Sequence, residues 1–469
     1  MTEFIDTPVP DFSCTSIPCT TVDLVVIGGG PAGMAAAIES HKQGIQNILI
    51  LEREPSLGGI LNQCIHDGFG LEIFREALTG PEYMRRFITR IEENERGENE
   101  NGIHTLTDCM VLEITPDREI IASTPGGLRT IRAGAIILAM GCRERSRGAI
   151  RIPGTRPAGV YTAGTAQHFI NLKNLMVGGR IVILGSGDIG MIMARRLTLE
   201  GAEVLAVVEI LPHSSGLQRN VVQCLQDYDI PLHLSHTVTN IIGKDRVEAV
   251  EISKVDTNFQ PIDGTRQIIE CDTLLLSVGL IPENELSRTA GVELDPVTGG
   301  AIVDEALQTS VPGIFACGNV LHVHDVVDWA TLEAERAGRS AACHILHRSL
   351  DQEANGSCDH YSSDAPASLP ILAGPGIHYV VPQRIAQSGT MAEVILSFRV
   401  RQPGRDVAIA LVTSSGEAIH EKSFKRVNPA EMIQFKLKPG LMNSSYQNAT
   451  SFRVMIRKGD RDDPGVGEQ

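Results

Sequence analysis

Two stretches of the chain repeat one pattern of apolar and polar positions. The run Val22-Asp23-Leu24-Val25-Val26-Ile27 leads into Gly28-Gly29-Gly30-Pro31-Ala32-Gly33, and Arg180-Ile181-Val182-Ile183-Leu184 leads into Gly185-Ser186-Gly187-Asp188-Ile189-Gly190. Short apolar runs that stop at glycine predict buried strands. After each turn comes a stretch with helical spacing, then a second apolar run that ends in an acid, Glu52 or Glu209, at the same offset in both copies. In the first copy this predicts strands near 22–27 and 47–51 around a helix near 31–43. Its Ala35, Ala36 and Ala37 keep that helix slim enough to lie close to the sheet.

This spacing has a physical use. The first glycine makes a tight strand-to-helix turn, the second lets backbone approach a pyrophosphate, and the third lets helix pack closely on sheet. The helix N-terminus offers unpaired N–H groups to the anion, and the acid takes ribose hydroxyls. The candidate cofactor residues are therefore Gly28, Gly30, Pro31, Ala32, Gly33, Glu52 and the adjacent Arg53 in the first unit. In the second they are Gly185, Gly187, Asp188, Ile189, Gly190 and Glu209. One such turn is weak evidence. Two complete units predict an α/β fold with two Rossmann-like domains, and two dinucleotides on one chain point to electron transfer between them.

The remaining pattern fills in the organisation. A helix with proline in its first turn is predicted from Pro81, an exposed charged loop over 92–102, and a small β excursion over 103–132. Two similar strands run into glycine, Ala135-Ile136-Ile137-Leu138-Ala139-Met140-Gly141 and Thr273-Leu274-Leu275-Leu276-Ser277-Val278-Gly279. A helix follows over about 325–346. Strand-like segments at 392–400, 406–413, 432–437 and 451–456 suggest a sandwich-like, all-β module. The expected division is a leader over 1–20, a first dinucleotide domain split into 21–155 and 283–350, a second inserted at 156–282, a linker over 351–368 and the β module over 369–469.

Composition excludes more than it assigns. A net charge of −16 argues against nucleic acid or an anionic membrane as the main partner. No stretch reaches the roughly 20 apolar residues of a membrane helix. The start, Met1-Thr2-Glu3-Phe4-Ile5-Asp6, lacks signal-peptide character, so a cytoplasmic location is expected. The ten cysteines have no framework spacing and suit reduced, mostly buried thiols, with Cys14 and Cys19 in a mobile tail.

The order of signals resembles the two-dinucleotide-domain flavoproteins: thioredoxin reductase, NADH oxidases and the glutathione reductase group. Ala139-Met140-Gly141 and the segment from Thr309 to Val320 carry the likeness beside the paired turns. The chain is more closely similar to FAD/NAD oxidoreductase subunits of anaerobic glycerol-3-phosphate dehydrogenase and of amine or opine dehydrogenase systems. That likeness rests on Leu57-Gly58-Gly59-Ile60-Leu61-Asn62-Gln63-Cys64-Ile65-His66-Asp67-Gly68-Phe69-Gly70-Leu71, on Leu78-Thr79-Gly80-Pro81-Glu82-Tyr83, on Val160-Tyr161-Thr162-Ala163-Gly164-Thr165-Ala166-Gln167, and on Cys317-Gly318-Asn319-Val320-Leu321-His322-Val323-His324-Asp325. The resemblance implies FAD in the first domain, NAD(H) in the second, and Gly59, Val111, Gly141, Gly279, Gly318 and Asn319 as further cofactor contacts. It also implies a substrate-oxidising flavoprotein and a small cysteine-bearing electron-transfer protein as partners, and an oligomer.

The departures from those families are informative. Gly58-Gly59 is followed by Cys64 alone, and no cysteine falls in 161–173, so an internal redox dithiol is not expected. Glu209 is followed by Ile210-Leu211 where arginines would attract a 2′-phosphate, which favours NAD over NADP. The catalytic candidates are Cys64, His66, His324 and Asp325. No metal is assigned, because His322, His324, Asp325 and Asp328 suit hydrogen bonding and capping at a helix start. The expected function is hydride transfer between nicotinamide and flavin in the diaphorase-like subunit of a substrate dehydrogenase complex. The alternatives are a stand-alone NADH oxidase or peroxidase using Cys64, and a non-enzymatic NAD-sensing flavoprotein scaffold.

Overall fold

The computed structural model describes residues 19–95, 102–355, 368–386, 393–438 and 449–457. Most of the expected leader with Cys14, the centre of the expected linker and the end of the charged loop lie outside the described residues. Cys19, expected in the tail, instead opens the first strand.

The first sheet has a parallel core built from Gly102–Leu106, Asn47–Leu51, Cys19–Ile27, Gly127–Leu138 and Ile314–Ala316, in that order. Its strands read as nearly continuous apolar runs because both faces are covered. The expected β excursion and the expected strand over 135–141 share one long element. Gly127–Leu138 pairs antiparallel with Glu119–Thr124 through its first half and parallel with Cys19–Ile27 over most of its length. On one face, helix Pro31–Lys42 crosses helix Val327–Asn355. The crossing is close enough that a Cβ on Gly338 would lie 2.5 Å from the Ala36 carbonyl oxygen, and Ser40 Oγ donates to the Gly338 carbonyl at 3.0 Å.

The second parallel sheet runs Leu232–Leu234, Glu203–Glu209, Arg180–Leu184, Thr273–Leu276, Val160–Thr162. A three-stranded antiparallel layer, His236–Gly243, Val247–Lys254 and Gln267–Glu270, packs beside it. The two units are joined by a short antiparallel pair, Cys142–Glu144 with Leu280–Pro282. Gly141 and Gly279 stand at its edges with φ of +73° and +100°, values that glycine adopts without strain.

The C-terminal module has eight strands among the described residues, in a five-stranded and a three-stranded sheet. Phe398, Phe435 and Phe452 fill the space between them. Four strands were not expected from the sequence: Ser368–Ala373, Ile377–Val381, Arg384–Ala386 and Ala418–Val427. The module is docked on the first domain. Val303 O accepts the N–H groups of Gln383 and Arg384 at 3.2 Å each, and Tyr379 and Val381 are buried in the first domain's core. The fold is therefore α/β with two Rossmann-like units and a C-terminal β module. No described helix is long and apolar enough to cross a membrane.

Candidate functional site

The two glycine turns have matching geometry. Gly28 and Gly185 have φ of +106° and +98°, and a Cβ there would lie 2.4 Å from the Ala139 carbonyl oxygen and 2.0 Å from that of Ser277. Gly33 and Gly190 are closed against the turn, since a Cβ on Gly33 would lie 1.8 Å from Gly28 O and one on Gly190 2.7 Å from Ser277 Cβ. At Gly30, by contrast, a Cβ would meet nothing within 4 Å. That open space lies at the N-terminus of helix Pro31–Lys42, where no side chain caps the first turn. A pyrophosphate fits such a cradle.

Both acids are buried, and both brace their turns. Glu52 Oε2 accepts the Gly29 N–H (2.7 Å) and Oε1 that of Glu54 (2.8 Å). Glu209 Oε2 accepts the Ser186 N–H (2.9 Å) and Oε1 that of Leu211 (3.0 Å). The second site adds the hydroxyls of Ser186 and Ser215, at 2.6 and 2.9 Å from Glu209 Oε2. Asp188 lines the cavity and also braces the second turn. Its Oδ1 accepts Leu217 N–H and Asn220 Nδ2–H, so it ties the segment after the sheet to the turn.

One cavity of about 2780 Å³ joins the two turns. Of the residues assigned from the sequence, all but Gly33 and Gly190 line it, including Arg53, Gly59 and Val111. Its size and continuous course suit two extended dinucleotides. The residues present therefore fit FAD at the first turn and a nicotinamide dinucleotide at the second.

Beside the first turn, Gly318 N–H donates to Glu333 Oε1 (2.9 Å). Glu333 is buried in helix Val327–Asn355, and its other oxygen lies 2.8 Å from His322 Nε2 and 3.5 Å from His324 Nε2. Burial alone raises a carboxyl, but His322 and His324 outweigh it and hold Glu333 well below the usual range. Burial pushes His322 down. The donor atoms of His322, His324 and Glu333 all lie within 4.8 Å of one another, with Arg336 Nη2 4.0 Å from Glu333. A guanidinium beside the carboxylate favours a hydrogen-bonded cluster over a cation.

Asp325 turns away from this cluster. Its Oδ1 is paired with Arg399 of the C-terminal module, and Oδ2 accepts the Met432 N–H at 2.6 Å. Arg399 also donates to Tyr379 Oη, Val323 O, Pro429 O and Ala430 O. With both oxygens engaged, Asp325 holds the C-terminal module against the cavity that it lines. Asp328 pins another segment, accepting Gly70 N–H (3.0 Å) and Ile73 N–H (3.1 Å). Sequence reasoning missed Glu333 and Arg399, and also Cys142, whose sulfur accepts a hydrogen bond from Asn319 Nδ2 at 3.6 Å.

Cys64 is buried at the end of the turn Gly59–Gln63. Its Sγ donates to Ile60 O (3.4 Å) and lies 3.8 Å from Gln167 Oε1 in the second domain. Gln63 reaches helix Ala163–Lys173, which carries Gln167, with Nε2 2.9 Å from Gly164 O, and Glu144 accepts the Gly164 N–H. Desolvation lifts the Cys64 thiol to about 12, so it is protonated at neutral pH and a poor nucleophile. Cys64→Ser is expected to keep dye reduction within about twofold of wild type, checked in a steady-state assay; the thiol is inert in this account. His66 is pushed down by burial, then raised by Asp67 and lowered by Arg219, and its ring lies 5.0 Å from that of Phe69, tilted by 48°. Its imidazole is neutral at pH 7 and lines the cavity.

Fold and cavity together define a two-dinucleotide oxidoreductase. The sequence profile of the pyridine nucleotide-disulphide oxidoreductase family matches residues 22–338, and the chain belongs to that family. It is 29% identical to an alkyl hydroperoxide reductase component of Pseudomonas aeruginosa, over 70% of this chain and 59% of that protein. It is 25% identical to an opine oxidase component of Agrobacterium tumefaciens, over 69% of this chain and 65% of that one. The match thus spans less than two thirds of either relative. Thioredoxin reductase of Lactococcus lactis shares the fold, with a TM-score of 0.57, 22% identity, and coverage of 70% of this chain and 99% of that one. Family members are FAD-dependent oxidoreductases that use NAD(P)H.

Proposed function

We propose that the protein passes hydride between NAD(H) and FAD as the electron-transfer subunit of a substrate dehydrogenase complex, of the glycerol-3-phosphate or the amine and opine type. The observation that carries the hydride reading is the one cavity that joins the two glycine turns. Bound FAD supplies the redox chemistry. The chain supplies the seats for both cofactors, a buried wall that excludes water, and neutral His66 as a proton acceptor beside the second domain. The stretch 161–173 carries no cysteine, which supports a reading in which electrons leave for a partner and not through an internal dithiol. Similarity to a relative named as part of an opine oxidase supports the complex. The partners proposed are a substrate-oxidising flavoprotein and a small cysteine-bearing protein.

NAD is proposed over NADP because the Glu209 carboxylate, which ends strand Glu203–Glu209 and lines the cavity, would repel a 2′-phosphate. Roughly 1.4 kcal/mol of repulsion is a tenfold preference. The ratio of kcat/KM for NADH over NADPH is expected to exceed about ten and to shrink in Glu209→Ala; a preference for NADPH would reverse the assignment. The function itself is tested by purifying the tagged chain from its native cell and assaying dye reduction. Multiple turnovers with NADH and a co-purifying flavoprotein support it, whereas turnover without any such partner removes the complex from it.

A further inference from the structure

Asn319 Oδ1 accepts the backbone N–H of His324 at 3.0 Å, and this fixes which way the amide points. The same oxygen lies 3.3 Å from His324 Nδ1. On the far edge of the ring, His324 Nε2 lies 3.5 Å from Glu333 Oε2. Both ring nitrogens therefore face acceptor oxygens. A neutral imidazole carries one N–H and one lone pair, so one nitrogen must confront an oxygen lone pair. A second proton removes that conflict. Asn319 and His324 line the cavity, and Glu333 backs them from the long helix.

We propose that His324, held between Asn319 and Glu333, takes up one proton when negative charge enters the flavin end of the cavity. This rests on the proposed function. A hydride leaving a dihydronicotinamide carries both electrons of its C–H bond. The nicotinamide is oxidised and becomes cationic, and the flavin end is reduced and gains one negative charge. One proton drawn from water onto His324 neutralises that charge, and no further oxidant or reductant takes part. His322 donates to the same Glu333 oxygen, while its Nδ1 is buried with no partner, so a proton placed there would go unsatisfied. The charged and titratable groups around His324 are His322 and Asp325 on its own segment, Glu333 and Arg336 on the helix, Arg399 and Tyr379 on the C-terminal module, and Cys142 behind Asn319. Glu333 is a positioning residue here, since it acts through His324.

The test is the pH dependence of the midpoint potential of FAD bound to the full chain, measured with redox mediators. In wild type the potential is expected to fall by about 60 mV per pH unit near neutrality, and in His324→Gln by about 30 mV, the two-electron equivalents of two protons and one. Glu333→Gln is expected to lie between them. Equal slopes in wild type and His324→Gln overturn the proposal. If that variant does not fold, proton uptake by wild type decides: no more than one proton per two electrons also overturns it. Failure of NADH to reduce the bound FAD would sink the proposed function and leave this comparison standing. A chain that holds no FAD sinks both.

Discussion

Gly185→Ala is expected to give a protein that keeps its FAD but is reduced by NADH at least 100-fold more slowly. Position 185 has φ +98°, and the new Cβ would lie 2.0 Å from Ser277 O and 2.6 Å from Ser277 C. Those are backbone atoms at the residue just past the central strand Thr273–Leu276, so the turn must move and not its neighbour. Moving it unseats the helix N-terminus that faces the pyrophosphate, and a hundredfold loss corresponds to about 2.7 kcal/mol of binding. Gly28→Ala is the reciprocal case. Its Cβ would lie 2.4 Å from Ala139 O, so flavin content is lost while the second site stays intact. Flavin absorbance per chain and NADH-driven bleaching separate the two. Loss of flavin in Gly185→Ala, with retention in Gly28→Ala, would invert the cofactor assignment.

Arg399→Met is expected to cost about 3–5 kcal/mol of stability and to weaken FAD binding. The guanidinium and the Asp325 carboxylate are each about 15% exposed, so removing the cation leaves a poorly solvated anion. The same change strips donors from Val323 O, Pro429 O and Ala430 O, and Pro429 and Ala430 line the cofactor cavity. The C-terminal module thus forms part of the cavity wall. Denaturant titration and the FAD dissociation constant check both effects. Arg384→Met provides the contrast, because its pair with Glu293 is largely exposed and such pairs contribute at most about 1 kcal/mol. Equal stability losses in the two variants would contradict this role for Arg399.

What the sequence showed and what it hid divide by contact range. Gly28, Gly30 and Gly33 could be read because the turn they make is local, and the repeat at Gly185, Gly187 and Gly190 made the pattern specific. Glu52 and Glu209 could be read as strand-end acids, although their hydrogen bonds to Gly29 and Ser186 come from packing one strand beside another. The partners of Asp188 and Asp325, Asn220 and Arg399, stayed hidden because they are distant in sequence and no local pattern announces them. Glu333 lay hidden in a helix whose small residues, Ala334, Ala337 and Gly338, dominate the reading. The strand Ala418–Val427 was missed for a different reason. It is a sheet edge carrying Lys422, Lys425 and Arg426, the kind of charge that blunts an edge and also masks an apolar alternation.

The most direct measurement mixes the FAD-loaded chain with one equivalent of NADH under anaerobic conditions in a stopped-flow spectrometer. Seats at both ends of one cavity predict that the oxidised-flavin band disappears within a single turnover as the NADH absorbance falls with it. A flavin band that stays unchanged while NADH remains intact would contradict the account at its centre.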